Sequence, residues 1–487
     1  MSTDTRSISE PIADAALRRE RPLRDMIVLA APTVATMTSY TLMQFVDAVM
    51  VSRIGPDPVY VGAHGNGGLA AWVPISVVYG LLLVVNTYVS QNLGAGTPAR
   101  ASAYAWTGLW MALGASVLLV PYGMALPTLF DQLGHSPRQV ALETSYAQVL
   151  IFGAFFTIAS RALSQYFYGL HRPMVVLVAG LAGNLTNLFF NWVFIFGNLG
   201  APALGVQGAA IATVIGTAVE LAIPLAVFLG PTLNRLHATR AAWRPSGKHM
   251  RDILRLGWPG ALMMGNEMAC WAFFMVYLVG LFGEVHATAG WIAHRWMSLS
   301  FMPAVGISVA VTAMVGKCMG AGRPDLAVRR AWAGVGLTMV YMGCCAVAFV
   351  AFREPMVRVF VDSGTAPEDM AKVVKIGATF LILTAAFQLF DALALTISGA
   401  LRGAGDTVWP GVVTVVLSWA IIVGGGLAMT RFFPQAESAG PWGAAAAYII
   451  VLSLFFLWRF LSGHWKSIKL LQDSATAPPN ESASQRA

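Results

Sequence analysis

Charge is scarce in this chain. Of its 487 residues only 11% are charged, against roughly a quarter in a typical soluble domain, while 57% are hydrophobic. So few polar groups cannot cover a water-exposed surface, which excludes an ordinary soluble globular protein. Cysteine is nearly absent too. Cys270, Cys318, Cys344 and Cys345 lie in or beside apolar runs, without metal-ligand spacing. They read as free thiols, and the adjacent Cys344–Cys345 pair as packing.

The signatures of several chemistries are also missing. There is no G-x-x-x-x-G-K-[ST] phosphate loop, and ATP hydrolysis on this chain is not expected. There is no HExxH, no paired CxxC and no G-x-S-x-G elbow. Gly94–Gly96 and Gly403–Gly405 read as short turns after apolar runs, not nucleotide cradles. The chain therefore reads as a non-enzyme without a cofactor, driven by an ion gradient or a partner. Residues 1–24 are polar and of mixed sign, and no short apolar segment with a small-residue cleavage site follows. No cleaved signal peptide is expected.

Long apolar runs are what the sequence has instead. The mean hydropathy is +0.65, and Leu109–Pro121 and Val408–Thr430 carry no charge at all. About 20 such residues cross a bilayer core. Spans are predicted near 26–51, 62–89, 101–126, 144–168, 174–197 and 206–230, then 253–282, 288–316, 328–352, 373–400, 408–431 and 442–462. The basic segment 231–252, with Arg235, Arg240, Arg244, Lys248 and Arg251, reads as a linker. The expected domains are an N-terminal tail (1–25), an N-lobe (26–230), this linker, a C-lobe (253–465) and a C-terminal tail (466–487). The last part of that tail is Ser/Ala/Pro-rich and expected to be disordered.

The net charge of +8 suits nucleic acid or a membrane surface. Here the basic residues sit between apolar runs, which favours the membrane. With the N-terminus inside, cytoplasmic segments hold 22 of the 31 Lys and Arg, so both termini are expected in the cytoplasm. Arg161 and Arg295 fall within spans.

Three patterns recur in order. Gly94-Ala-Gly-Thr-Pro98 returns as Gly320-Ala-Gly-Arg-Pro324. Gly205-Val-Gln-Gly-Ala-Ala-Ile-Ala212 returns as Gly440-Pro-Trp-Gly-Ala-Ala-Ala-Ala447, and Pro32 returns as Pro259. The offsets of 226, 235 and 227 residues fit one duplication. The expected fold is all-α integral membrane, with twelve transmembrane helices in two six-helix lobes. Both lobes point the same way, which implies a pseudo-two-fold axis along the membrane normal. A site between such lobes suits alternating access.

Four acids fall inside spans: Asp47, Glu220, Glu267 and Asp391. An ionisable group at mid-bilayer costs roughly 2.5–3.5 kcal/mol even on a permissive scale. A carboxylate held there can take a proton, a metal cation or a cationic substrate, each at the expense of the others. That competition is the physical basis of antiport. Each acid also has a plainer reading: Asp47 near the outer water interface, Glu267 and Asp391 as hydrogen-bonded structural acids, Glu220 as a partner of Arg161. Asn184, Asn187 and Asn191 share one helical face. Their amide oxygens can join Asp47 around a hard cation, or simply tie helices together. His294 and Arg295 interrupt span eight, where Arg295 could balance Glu267. Gln44, Gln388 and His294 are candidates for the wall of a substrate cavity.

These segments carry a resemblance. Gln44-Phe-Val-Asp47, Ser90-Gln-Asn-Leu-Gly-Ala-Gly96, Gly183-Asn-Leu-Thr-Asn187 with Asn191, Gly205 to Thr213, Phe301-Met-Pro-Ala-Val-Gly306 and Gly399 to Thr407 resemble the multidrug and toxic compound extrusion (MATE) family, in its NorM-type branch. The likeness covers roughly 26–465. It implies a V-shaped pair of lobes exporting cationic amphipathic compounds in exchange for Na⁺ or H⁺. Glu267 and Asp391 then look like the acids of the C-lobe cation site, a Na⁺ site included. Asp47, Asn187, Asn191 and Thr213 resemble the N-lobe cation or proton site. Some members carry an acid where Asn191 stands, and the amide weakens a metal site there. The protein is expected as a monomer in a bacterial inner membrane. A flippase for a lipid-linked precursor is the alternative. It would favour a strongly cationic cavity, against only two mid-span Arg here.

Overall fold

The computed structural model describes residues 21–57, 59–360 and 367–471. The outer parts of both expected tails, 1–20 and 472–487, lie outside the described residues. Among the described residues all regular structure is helical. Eleven helices are long and apolar enough to cross a membrane. They are α1 (Pro22–Ser52), α2 (Val59–Gly94), α3 (Pro98–Gln132), α5 (Pro173–Phe196), α6 (Val206–Leu229), α7 (Gly247–Phe282), α8 (Glu284–Gly320), α9 (Pro324–Ala351), α10 (Pro367–Ala404), α11 (Val408–Phe432) and α12 (Ala439–Leu461). The twelfth crossing, α4, is a pair, Pro137–Phe152 and Ala154–Gly169, bent by 48°. The chain is a multi-pass membrane protein.

Local signals set the helix starts. Proline opens α1, α3, α5 and α9, at a position where its missing N–H would have had no helical partner. Ser136 and Ser246 accept from the backbone N–H of Gln139 and His249, capping α4 and α7. The cap at Ser246 starts α7 within the segment expected as linker. That segment also holds a short helix, Pro231–His237.

Two large apolar cores divide the molecule. One gathers buried side chains of α2 to α6, the other those of α7 to α12. Each borrows from the other half. Met26, Leu29 and Ala30 at the start of α1 pack in the second core, and Ile253 and Leu256 at the start of α7 pack in the first. Farther along, each of these helices returns to its own lobe. Asn184 on α5 donates to the Ser39 carbonyl at 3.2 Å. Asn266 on α7 donates to Ser418 Oγ on α11 at 2.9 Å, and Trp419 Nε1 donates back to Asn266 Oδ1 at 2.8 Å. The pairs α1–α5 and α7–α11 are thus stitched alike, as a duplication requires.

The lobes meet on the side of the membrane that holds both described chain ends. There α2 lies so close to α8 that a β-carbon on Gly94 would strike the Lys317 carbonyl, and one on Gly320 the Gln91 carbonyl. Gly80 on α2 and Gly260 on α7 exclude side chains from each other in the same way. Hydrogen bonds cross the seam from Thr87 Oγ1 to the Arg402 carbonyl (2.9 Å) and from Gln91 Nε2 to the Gly403 carbonyl (3.0 Å). Arg330 pairs with Asp25 at 3.0 Å.

Candidate cation and substrate site

Glu267 on α7 and Asp391 on α10 open into one cavity of about 290 Å³. They are within electrostatic reach of each other. Glu267 is exposed and Asp391 is half-buried, and both line this space. Neither carboxylate makes a hydrogen bond or ion pair among the described residues. The wall is mostly apolar, with Trp271, Met263, Met297, Phe301 and Met302, and a few polar groups, Ser398, Thr414 and Tyr448. Methionine is unbranched and adaptable, so such a wall can follow different shapes. Beyond Glu267, α7 widens into a π-turn over Phe273–Val279, and α11 does the same over Ser418–Gly425. Such turns often lie beside functional sites.

His294 also lines this cavity, with its ring between Trp271 (5.4 Å) and Trp291 (5.8 Å). Two expectations fail here. Gln388 is fully buried and donates to Ser300 Oγ at 3.1 Å; it ties α10 to α8 and does not line the cavity. Arg295 is exposed and lies over the Phe360 ring at 5.8 Å, so it does not balance Glu267. One position along a helix turns a side chain by about 100°, which separates His294 from Arg295.

In the other lobe Asp47, Asn187, Asn191 and Thr213 come together from α1, α5 and α6. Asn191 Nδ2 donates to Asp47 Oδ1 at 2.5 Å. The Asn187 amide is best satisfied with its nitrogen turned to the same oxygen, 2.9 Å away, and its oxygen facing Thr213 Oγ1 at 3.2 Å. Asn191 Oδ1 is buried without a hydrogen-bond partner. Gln44, one turn before Asp47, is exposed. Asn184 takes the plainer role, packing α5 on α1.

Glu220 pairs with Arg161 at 3.5 Å. Its Oε1 also accepts from Tyr40 Oη (2.6 Å) and Ser160 Oγ (2.9 Å), and Arg161 stacks over the Tyr40 ring at 4.2 Å. This acid is fully engaged within its own lobe. Sequence reasoning missed Tyr40, Ser160 and Tyr448. A single Tyr or Ser in an apolar span carries no pattern, and only the fold brings Tyr448 of α12 within electrostatic reach of Glu267 and Asp391. Among the described residues no three His, Cys, Asp or Glu converge as a metal site of that kind.

Known proteins share this fold. The fold is similar to a MOP-superfamily transporter from Pyrococcus furiosus (TM-score 0.83, 21% identity, covering 93% of this chain and 98% of that one). It is also similar to a multidrug resistance MATE family transporter of the MOP superfamily in an outward-facing conformation (TM-score 0.82, 21% identity, the same coverage). Relatives in sequence include proteins named "Probable multidrug resistance protein NorM". One, from Mesorhizobium japonicum, is 27% identical over 90% of this chain and 93% of its own length. Another, from Pseudomonas aeruginosa, is 29% identical over 90% and 89%. The MatE family profile matches residues 32–193 and 261–425, one segment in each lobe. The chain belongs to the MatE family, the multidrug and toxic compound extrusion transporters.

Proposed function

We propose that this chain is a secondary active exporter in which a coupling cation, Na⁺ or H⁺, and a cationic amphipathic compound compete for Glu267 and Asp391. One observation carries this reading: two carboxylates share an apolar cavity in which no Lys, Arg or His among the described residues pairs with them. Their counter-charge must therefore come from a proton, an ion or a substrate. A bound metal cation would draw on both carboxylates and the neighbouring Tyr448 hydroxyl, since hard cations take oxygen ligands. A substrate would lay its apolar body against the Met and aromatic wall. Exchange of one for the other biases the lobes between two arrangements, because a ligand shifts an equilibrium by its differential affinity.

The N-lobe group has a lesser role in this scheme. Both amides present N–H to Asp47, and Asn191 Oδ1 is the remaining unpartnered amide oxygen. That donor set leaves a single free amide oxygen beside the Asp47 carboxylate, a poorer ligand set for a metal ion than the paired acids of the C-lobe. The Lys and Arg bias supports cytoplasmic termini, and the names of the bacterial relatives support a multidrug exporter. The sealed side is then cytoplasmic and the structure is closed towards the cell interior. A flippase for a polyanionic precursor is disfavoured, because acids and not cations converge in the cavity.

The test is ethidium export from reconstituted vesicles under an imposed Na⁺ gradient, then an imposed proton gradient. Export driven by one gradient supports antiport and names the ion. Export insensitive to both would refute it.

A further inference from the structure

After α12 the chain turns back beneath the lobes. Gly463 takes φ +74°, a left-handed conformation that glycine adopts without steric cost, and the helix ends there. A short 3₁₀ turn, His464–Ser467, follows. Trp465 pins this turn. It is fully buried, its ring stacks on Phe460 at 5.0 Å, and its Nε1 donates to the Phe460 carbonyl at 2.8 Å. At Ile468 the backbone becomes extended, with φ −72° and ψ 125°.

The extended piece runs from one core to the other. Ile468 packs on the second core and Leu470 on the first. Leu470 also touches the turn after α10, 2.7 Å from where Gly405 would carry a β-carbon. Leu471 closes a pocket of about 130 Å³ that includes Asn92 and Ala95 where α2 ends, Arg100 and Tyr104 of α3, and His249 of α7. This is the seam itself. Asn92 follows Gln91, and Gly405 lies two residues past Gly403, the pair bonded between the lobes.

The two ends of the segment are held differently. The Trp465 end has a buried ring and a hydrogen bond. Residues 469–471 make no hydrogen bond among the described residues, and Leu470 and Leu471 are only half-buried. Such apolar contact is non-directional, and breaking it strands no backbone group. One end is therefore fixed to the second lobe and the other can let go.

We propose that residues 464–471 form a clasp that holds the sealed side of the transporter shut, hinged on Trp465 and engaged across the seam by Leu470 and Leu471. The clasp rests on the alternating access read above and names the part that must release before this side opens.

The test measures N-ethylmaleimide modification of a Thr87→Cys reporter in the purified full-length protein, after subtracting the rate at the four native cysteines of the parent. Thr87 is fully buried at the seam, so its modification tracks the population of opened molecules. The assay uses neither an ion gradient nor a substrate, and failure of antiport leaves it standing. Leu470→Ser with Leu471→Ser is expected to speed modification about tenfold, the shift from withdrawing two half-buried leucines from apolar contact. Replacing the exposed Lys469 by serine is expected to leave the rate at the parental value. An unchanged rate in the double variant overturns the proposal, as does equal acceleration by Lys469→Ser. If the double variant does not yield folded protein, Leu471→Ser alone is expected to speed modification about threefold; no change there also overturns the clasp.

Discussion

The main-chain oxygen of Lys317 lies where Gly94 would carry a β-carbon, and that of Gln91 lies where Gly320 would. Within the duplication Gln91 matches Lys317 and Gly94 matches Gly320. The two contacts are one contact written twice across the pseudo-two-fold axis. The first glycine of the G-A-G motif in each half is therefore a requirement for close approach of α2 and α8.

Replacing Gly320 with Ala should force this seam open. Overpacking typically costs about 1–3 kcal/mol, here paid only by the closed arrangement. A cysteine placed at Thr87, fully buried at the seam, should react with a thiol reagent several-fold faster in the Gly320→Ala background. Equal reaction rates would show that the seam tolerates the methyl group.

Glu267→Gln and Asp391→Asn keep size and lose charge. Each is expected to abolish ethidium export while the protein still inserts and purifies as a folded species. Export at the parental rate in both variants would remove these acids from the coupling scheme.

Asn266→Ala deletes the acceptor of Trp419 Nε1 and the donor to Ser418 Oγ. A typical hydrogen bond contributes about 0.5–1.5 kcal/mol, and this change removes two. Thermal unfolding in detergent should start at lower temperature, with a change in tryptophan fluorescence. An unshifted melting curve would mean that α7 and α11 do not depend on this bridge.

The Arg161–Glu220 pair has side chains only 18% and 6% exposed. Breaking such a pair from one side costs about 3–5 kcal/mol. Arg161→Ala should therefore destabilise the protein more than the double change Arg161→Ala with Glu220→Gln, which removes both charges. If the double variant is the less stable one in thermal unfolding, the stability comes from packing rather than from charge.

The spans were legible because a bilayer imposes length and apolarity on each one, and the duplication because Gly and Pro mark positions that side chains cannot fill. Asp47 with Asn187 and Asn191 was legible as well, since i, i+4 amides on α5 must face one way. Gln388 was misread. A polar residue one turn before Asp391 looks like part of the same site, yet the two positions still differ by about 60° around the helix, enough to turn Gln388 to Ser300 of α8. The bend in α4 and the π-turns in α7 and α11 left no trace either, because backbone hydrogen bonding can shift register without any change in hydrophobic pattern.

The first turns of α1 and α7 lie in each other's cores, and this bears on how the protein is made. Residues 26–30 leave the ribosome early, yet their packing partners come from the second half of the gene product. The first lobe likewise waits for Ile253 and Leu256 to fill its interior. A half-length polypeptide ending at residue 230 would carry one incomplete interior and one stranded apolar segment. The two halves, whatever their origin as a duplicated unit, mature as a single interlocked product.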